Sequence, residues 1–219
     1  MIVDTDRSFE KACDVGDISL TNIWQARVIN ATGELVRASA TEMEQTADRA
    51  LDGAKWNVDP TKMTSELRSA WLQVEFGNFA PAAAALKRFQ KSRKQEVKDA
   101  AALLSSYVDE QLQIRLESAA EADASMESWK AFKILTEVQQ RFKGYELPRN
   151  VATDLARLAE TDDVTNQQAA YRKLQLAQKA AGSSSPSSRR RAVRMLNQVI
   201  EDFPDTDAAM DAQTMLSSR

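Results

Sequence analysis

The sequence predicts a mainly α-helical protein: an array of antiparallel helix pairs preceded by a small N-terminal α/β segment containing a β-hairpin. Three observations point there. The apolar positions Ala131, Leu135, Val138 and Phe142 return as Ala192, Leu196, Val199 and Phe203, each 61 residues later (192 − 131 = 61), and the register continues through Leu147/Ala208, Val151/Ala212 and Leu155/Leu216. Only 6 Gly and 5 Pro occur in 219 residues, against abundant residues of high helix propensity. Two-residue alternation of apolar and polar side chains is confined to the first forty residues. A lone helix pair cannot bury its apolar faces, whereas stacked pairs share one core, so a repeated register is what stacking requires.

In "NIWQARVINATGELVRAS", Ile23, Gln25 and Arg27 alternate with Trp24, Ala26 and Val28 ahead of Gly33, Leu35 and Val36, which reads as two short strands around a tight turn. Before it, a strand ending at Val3 and a helix opened by Asp4 or Asp6, with Phe9 and Cys13 on its inner side, complete a segment over residues 1–40. Residues 41–63 form a connecting helix and linker: Thr41 is the expected N-cap, Glu44 completes a capping box, Gly53 ends the helix, and Trp56 is expected against the helical body.

The helical region spans 64–219. Leu67, Ala70, Trp71 and Val74 share one face, Gly77 and Asn78 turn the chain, and Pro81 opens a helix carrying Ala82, Ala85, Leu86 and Phe89. A long helix over 94–122 follows, with Val97, Ala101, Leu104, Val108, Leu112 and Leu116 at spacings of three or four. Then come a helix over 127–142 stopped at Gly144, a partner started by Pro148, a helix over 165–181, and a helix over 188–203 stopped by Pro204, whose partner is capped by Asp205 or Thr206. The run "GSSSPSS" is the most flexible link expected inside the region.

Composition narrows the chemistry. With 43% hydrophobic residues the chain can bury a core, and a net charge of −3 selects neither nucleic acid nor anionic lipid. One Cys and no His remove the intramolecular disulfide, the dithiol redox pair, the commonest general base and the commonest zinc ligand. No catalytic, cofactor-binding or metal-binding residue is expected. Nothing near Met1 has the form of a signal peptide and no apolar run is long enough to span a bilayer, so the expectation is a cytoplasmic protein, or a periplasmic one if the native start lies upstream.

Two resemblances add to this. The order strand, helix, hairpin, with the wording "WQARVINATGELV", resembles the C-terminal half of a thioredoxin-like domain; the Cys-x-x-Cys pair is absent, and Asn22 and Ile23 stand where that family carries its cis-proline, so no redox activity carries over. A segment of that size must lean on other structure to bury a core. In the helical region, Trp71, Gly77, Phe79 and Ala82 or Ala83 stand where a tetratricopeptide repeat has its bulky residue, turn glycine, following aromatic and small crossing residue, and "FPDTDAAMDAQTML" is similar to bacterial repeats of this kind. The family's 34-residue period is not kept, which makes the array degenerate.

The resemblance implies a non-enzymatic protein–protein interaction scaffold holding a protein or peptide on the inner surface of the stack. Arg68, Gln73, Lys130 and Glu137 are the candidate partner-binding residues, and a homodimer through the helical faces is a further option. The alternative is the C-terminal part of a thiol-disulfide oxidoreductase whose active half lies upstream or on another chain. The basic runs at Arg189, Arg190, Arg191 and Arg194 and at Lys87, Arg88, Lys91, Arg93, Lys94 and Lys98 read as solvated helix faces rather than a nucleic-acid site, since no aromatic side chains interleave to stack bases. Trp71 and Trp129 read as core, Cys13 as a small buried residue, and the pairs Asp162/Asp163 and Asp205/Asp207 as helix starts rather than metal ligands.

Overall fold

The computed structural model describes residues 13, 27–36, 41–183 and 185–217. It divides into two units, Met1–Asn57 and Val58–Arg219. Among the described residues there are nine α-helices and one two-stranded antiparallel sheet.

In the first unit, strands β1 (Val28–Ile29) and β2 (Leu35–Val36) pair in the register Val28↔Val36 and Ile29↔Leu35. The Asn30 side-chain carbonyl accepts from the backbone of Thr32 and Glu34, and Gly33 takes φ +87°, so polar turn chemistry holds the hairpin shut. Helix α1 (Met43–Ala50) packs on β1, and the Ala31 N–H donates to the Ala50 carbonyl at 3.2 Å. Glu42, not the expected Thr41, holds the cap position, and its side chain makes no capping bond. Trp56 is 55% exposed. Cys13 is buried, with its carbonyl accepting from Arg27 Nε at 2.8 Å. The strand ending at Val3 and the helix through Phe9 lie outside the described residues.

The second unit opens with a clasp. Val58 donates its N–H to Glu75 Oε1 at 2.6 Å and accepts from the buried Trp71 indole at 2.9 Å, so two side chains of the first helix of this unit hold its opening residue. Two 3₁₀ turns, Pro60–Lys62 and Ser65–Leu67, lead into α2 (Arg68–Glu75), whose Ala70, Trp71 and Val74 are buried as their spacing predicts. Helix α3 (Phe79–Phe89) begins two residues before Pro81. Between α2 and α3 the Gly77 and Asn78 N–H groups return to the Val74 and Gln73 carbonyls, a Schellman turn that needs Gly77 at φ +70°.

Helix α4 (Gln95–Ala124) runs 30 residues, with Val97, Ala101, Leu104, Val108 and Leu112 buried and Leu116 half-buried. It closes with the same Schellman pattern, Met126 N–H to Asp123 and Glu127 N–H to Ala122, but the left-handed position is held by Met126 at φ +61°. Helix α5 (Ser128–Arg141) turns at Gly144 into α6 (Asn150–Ala159). Helix α7 (Asp162–Ala181) is capped by the Thr161 hydroxyl, α8 (Pro186–Asp202) starts on its proline, and α9 (Asp207–Ser217) follows Thr206, whose hydroxyl accepts from Ala209 N–H at 3.2 Å.

Sequence neighbours pack on one another: α2 on α3, α3 on α4, α4 on α5, α5 on α6, α7 on α8 and α8 on α9, with α5 and α9 also against α7. One cluster of buried side chains draws on α2 to α6, and a smaller one on α7 to α9. Both copies of the repeated register face inward: Ala131, Leu135, Val138 and Phe142 in the first, Ala192, Leu196 and Val199 in the second, where Phe203 is half-buried.

Candidate interaction surface

Arg68 is exposed and Gln73 half-exposed on α2, and neither side chain makes a hydrogen bond or ion pair among the described residues. Five residues apart, they point about 140° from each other around the helix, so they do not line one surface. Lys130 and Glu137 do share a face of α5, about 20° apart. Both are engaged locally: Lys130 pairs with Glu127 at 2.6 Å and Glu137 with Arg141 at 2.6 Å. Arg141 in turn donates to the Gly77 carbonyl at 3.0 Å and lies over the Phe79 ring, so Glu137 aims a guanidinium that ties α5 to the α2–α3 turn. No hydrogen bond or ion pair among the described residues joins the α2 residues to the α5 residues.

A polar hub that spacing did not announce forms where α5, α7 and α9 meet. Asp207 accepts from Trp129 Nε1 at 2.9 Å and from Lys133 Nζ at 2.7 Å, while its N–H donates to the buried Gln167 at 3.2 Å. Asp163 accepts from the Trp129 N–H at 2.9 Å, so an α7 carboxylate caps α5 from outside. The Trp129 ring stacks on Phe132 at 5.9 Å and meets Tyr171 at 5.8 Å; it is half-buried rather than sealed in the core.

The hydrogen bond from Lys133 holds the Asp207 carboxyl below its ordinary range, burial opposes this, and the Trp129 bond assists it. Burial, with Asp211 and Asp207 close by, pushes the Tyr171 phenol up to about 12. Asp162 and Asp163 begin α7, three residues ahead of the expected 165–181 span, and border an open depression with Thr165, Asn166 and Ala169.

The remaining organised surface lies on α4. Leu103, Tyr107, Glu110, Ile114, Glu117 and Glu121 follow one another at spacings of 4, 3, 4, 3 and 4 residues (103 to 121), the interval that keeps a helix face on one line. Leu103 and Ile114 are 37% and 47% exposed, and Tyr107 is half-buried against the core. Burial and the carboxylates of Glu75 and Glu110 raise the Tyr107 phenol above its ordinary value, which places acid groups beside that ring. Among the described residues no lysine or arginine forms an ion pair with Glu110, Glu117 or Glu121.

Of the basic runs, Lys94 bonds Glu66 at 2.9 Å, which holds the Glu66 carboxyl at about 2, and Arg88 lies over the Phe89 ring. Arg190, Arg191 and Arg194 are exposed on α8. No group of three or more Cys, Asp or Glu side chains placed to hold a metal ion occurs among the described residues, and no described helix is long and apolar enough to cross a membrane.

The fold defines a class, a mainly helical protein with a small antiparallel hairpin near its N-terminus. No protein-family model matches the chain, and neither a curated protein nor a solved structure does.

Proposed function

We propose that this chain is a non-enzymatic protein–protein interaction scaffold built from tetratricopeptide-like helix pairs. The observation that supports it is the repeated register: α5 with α6, and α8 with α9, bury positions 61 residues apart, such as Val138 and Val199 or Val151 and Ala212. Helix pairs stacked on such a spine present long exposed faces to partners. The test is retention of a protein partner from native lysate by the immobilised full chain. The expected result is one partner that saturates at a fixed ratio and competes with free chain; retention of nothing beyond what a blank matrix holds would sink the reading.

A second reading keeps the first unit in view, because its hairpin turns at Gly33 as the thioredoxin resemblance implies. Under it, a Cys-x-x-Cys would be encoded within about a hundred residues ahead of Met1, one domain's length. Reading the upstream coding sequence decides it.

A further inference from the structure

We infer that the flank of α4 marked by Leu103, Tyr107 and Ile114 is a docking seam for a basic amphipathic helix of another polypeptide. This rests on the scaffold reading and supplies the chemistry of its partner. The spacing comes first: positions 103, 107, 110, 114, 117 and 121 alternate steps of four and three, so that 103, 110 and 117, and likewise 107, 114 and 121, recur every seven residues, the repeat by which one helix follows another. Apolar side chains at three of them stay in part exposed although α4 buries the neighbouring core-facing side fully, with Val97, Ala101, Leu104 and Val108 at 2% exposure or less. The seam is thus additional to the face α4 gives to the core.

Charge decides what the seam takes. Over residues 99–124 the helix carries six carboxylates and one cation, Arg115. Asp123 is already paired with Arg157, and Asp99 accepts from Gln95. Glu110, Glu117 and Glu121 sit on the seam itself with no cation bonded to them among the described residues. The nearest ammonium, Lys130, feels Glu121 but is bonded to Glu127.

A second copy of the same seam does not fit. Paired parallel and in register, each glutamate would face itself. Paired antiparallel, Leu103 would face Glu121, Tyr107 would face Glu117 and Ile114 would face Glu110, so every apolar residue would meet a carboxylate. Anionic lipid is repelled by the same charges. A helix with Leu or Ile at the seam positions and Lys or Arg flanking them satisfies both the apolar residues and the glutamates.

The test uses the full chain and a fluorescently labelled three-heptad peptide with Leu at the a and d positions and Lys at e and g, followed by anisotropy. Two control peptides accompany it: one of the same composition with scrambled spacing, and one with Glu in place of Lys. Saturable binding of the first peptide alone is expected. It should weaken by roughly tenfold or more, the sum of three modest exposed charge pairs, in the triple variant Glu110→Gln/Glu117→Gln/Glu121→Gln, and comparably in Leu103→Ser/Ile114→Ser.

Equal binding of the scrambled peptide would reduce the effect to bulk charge and overturn the inference, as would absence of saturation. Binding undiminished in the triple variant would move the contact to another surface, overturning the seam while leaving the scaffold reading intact. A doubling of solution mass abolished by Leu103→Ser/Ile114→Ser would make a second copy the occupant. The glutamate variant changes exposed side chains only, so it carries the test even if the apolar variant fails to fold.

Discussion

Helices α5 and α8 are written in one register, yet they are attached to their surroundings in different ways. At the inward positions they are interchangeable, Ala131 with Ala192 and Val138 with Val199, all at 1% exposure or less. On the outward side the equivalents of Trp129 and Lys133 are Arg190 and Arg194 (129 + 61 = 190; 133 + 61 = 194). The first two reach 78 and 74 residues along the chain to Asp207, whereas the Arg190 and Arg194 side chains are exposed and make no hydrogen bond or ion pair among the described residues. At the far end Phe142 is buried and stacked 4.8 Å from Phe79, while Phe203 is half-buried under Lys173. The repeated apolar spacing makes a helix pair; residues outside the repeat decide what that pair is joined to.

The largest test of this contrast is truncation of the two equivalent rings. Phe142→Ala is expected to cost about 3–5 kcal/mol because it leaves a cavity in the larger cluster, and Phe203→Ala about half of that, since solvent already reaches the ring. Urea denaturation of both variants decides; equal losses would mean that the two pairs are attached alike.

Next in size is the hub. Asp207→Asn should cost about 1–3 kcal/mol at neutral pH by weakening two charge-assisted contacts. The sign of its pH dependence follows from a folded carboxyl that ionises more readily than its ordinary value of 3.8. The stabilisation stands above that value and is lost as pH falls below it, because the unfolded chain takes up the proton first. Asp207→Asn should therefore flatten the acid limb of a stability curve measured by thermal melting. Arg190→Gln and Arg194→Gln, at the equivalent of the other side of that contact, should shift stability by no more than about 0.5 kcal/mol.

The smallest test sharpens the comparison at two turns of identical hydrogen bonding. Gly77→Ala forces a side chain into the left-handed region against the Arg141 guanidinium and should cost about 1–2 kcal/mol. Met126→Gly relieves the same conformation where no glycine was provided and should gain up to about 1 kcal/mol. Equilibrium denaturation reads both.

The sequence made the helices legible because apolar spacing is a local property. Leu67, Trp71 and Val74, or Val97 through Leu112, declare their buried face from spacings of three and four alone, and Thr206 marks a helix start by backbone chemistry. By contrast, α8 begins at Pro186, inside the run expected as a flexible link and two residues before the expected start at 188, and α7 begins at Asp162, three residues before 165, because Thr161 caps it. The caps were less secure at Thr41, where the helix begins one residue later than a capping box requires. Of the candidate residues, Lys130 and Glu137 had their partners in plain view at Glu127 and Arg141, three and four residues away, and that spacing argues for local pairing. The bonds from Trp129 and Lys133 to Asp207, and from Arg141 to Gly77, cross 64 residues or more, and no periodicity reports which polar group will meet which across such a span. The α4 flank was readable in principle, since its spacing is as regular as that of the buried face, but attention to the inner face alone passes over it.

The two apolar clusters have a consequence for the order in which the helices come apart. Between α5 and the C-terminal helices the contacts include the exposed or half-exposed polar bonds at Trp129, Lys133 and Asp207, beside two separate sets of fully buried side chains. A boundary of that kind limits cooperativity, because hydrogen bonds shared with solvent hold neighbours together less firmly than a continuous core does. Helices α7 to α9 are therefore expected to open as a unit while α2 to α6 remain closed, and amide hydrogen exchange along the chain should fall into two levels with the step near Thr161.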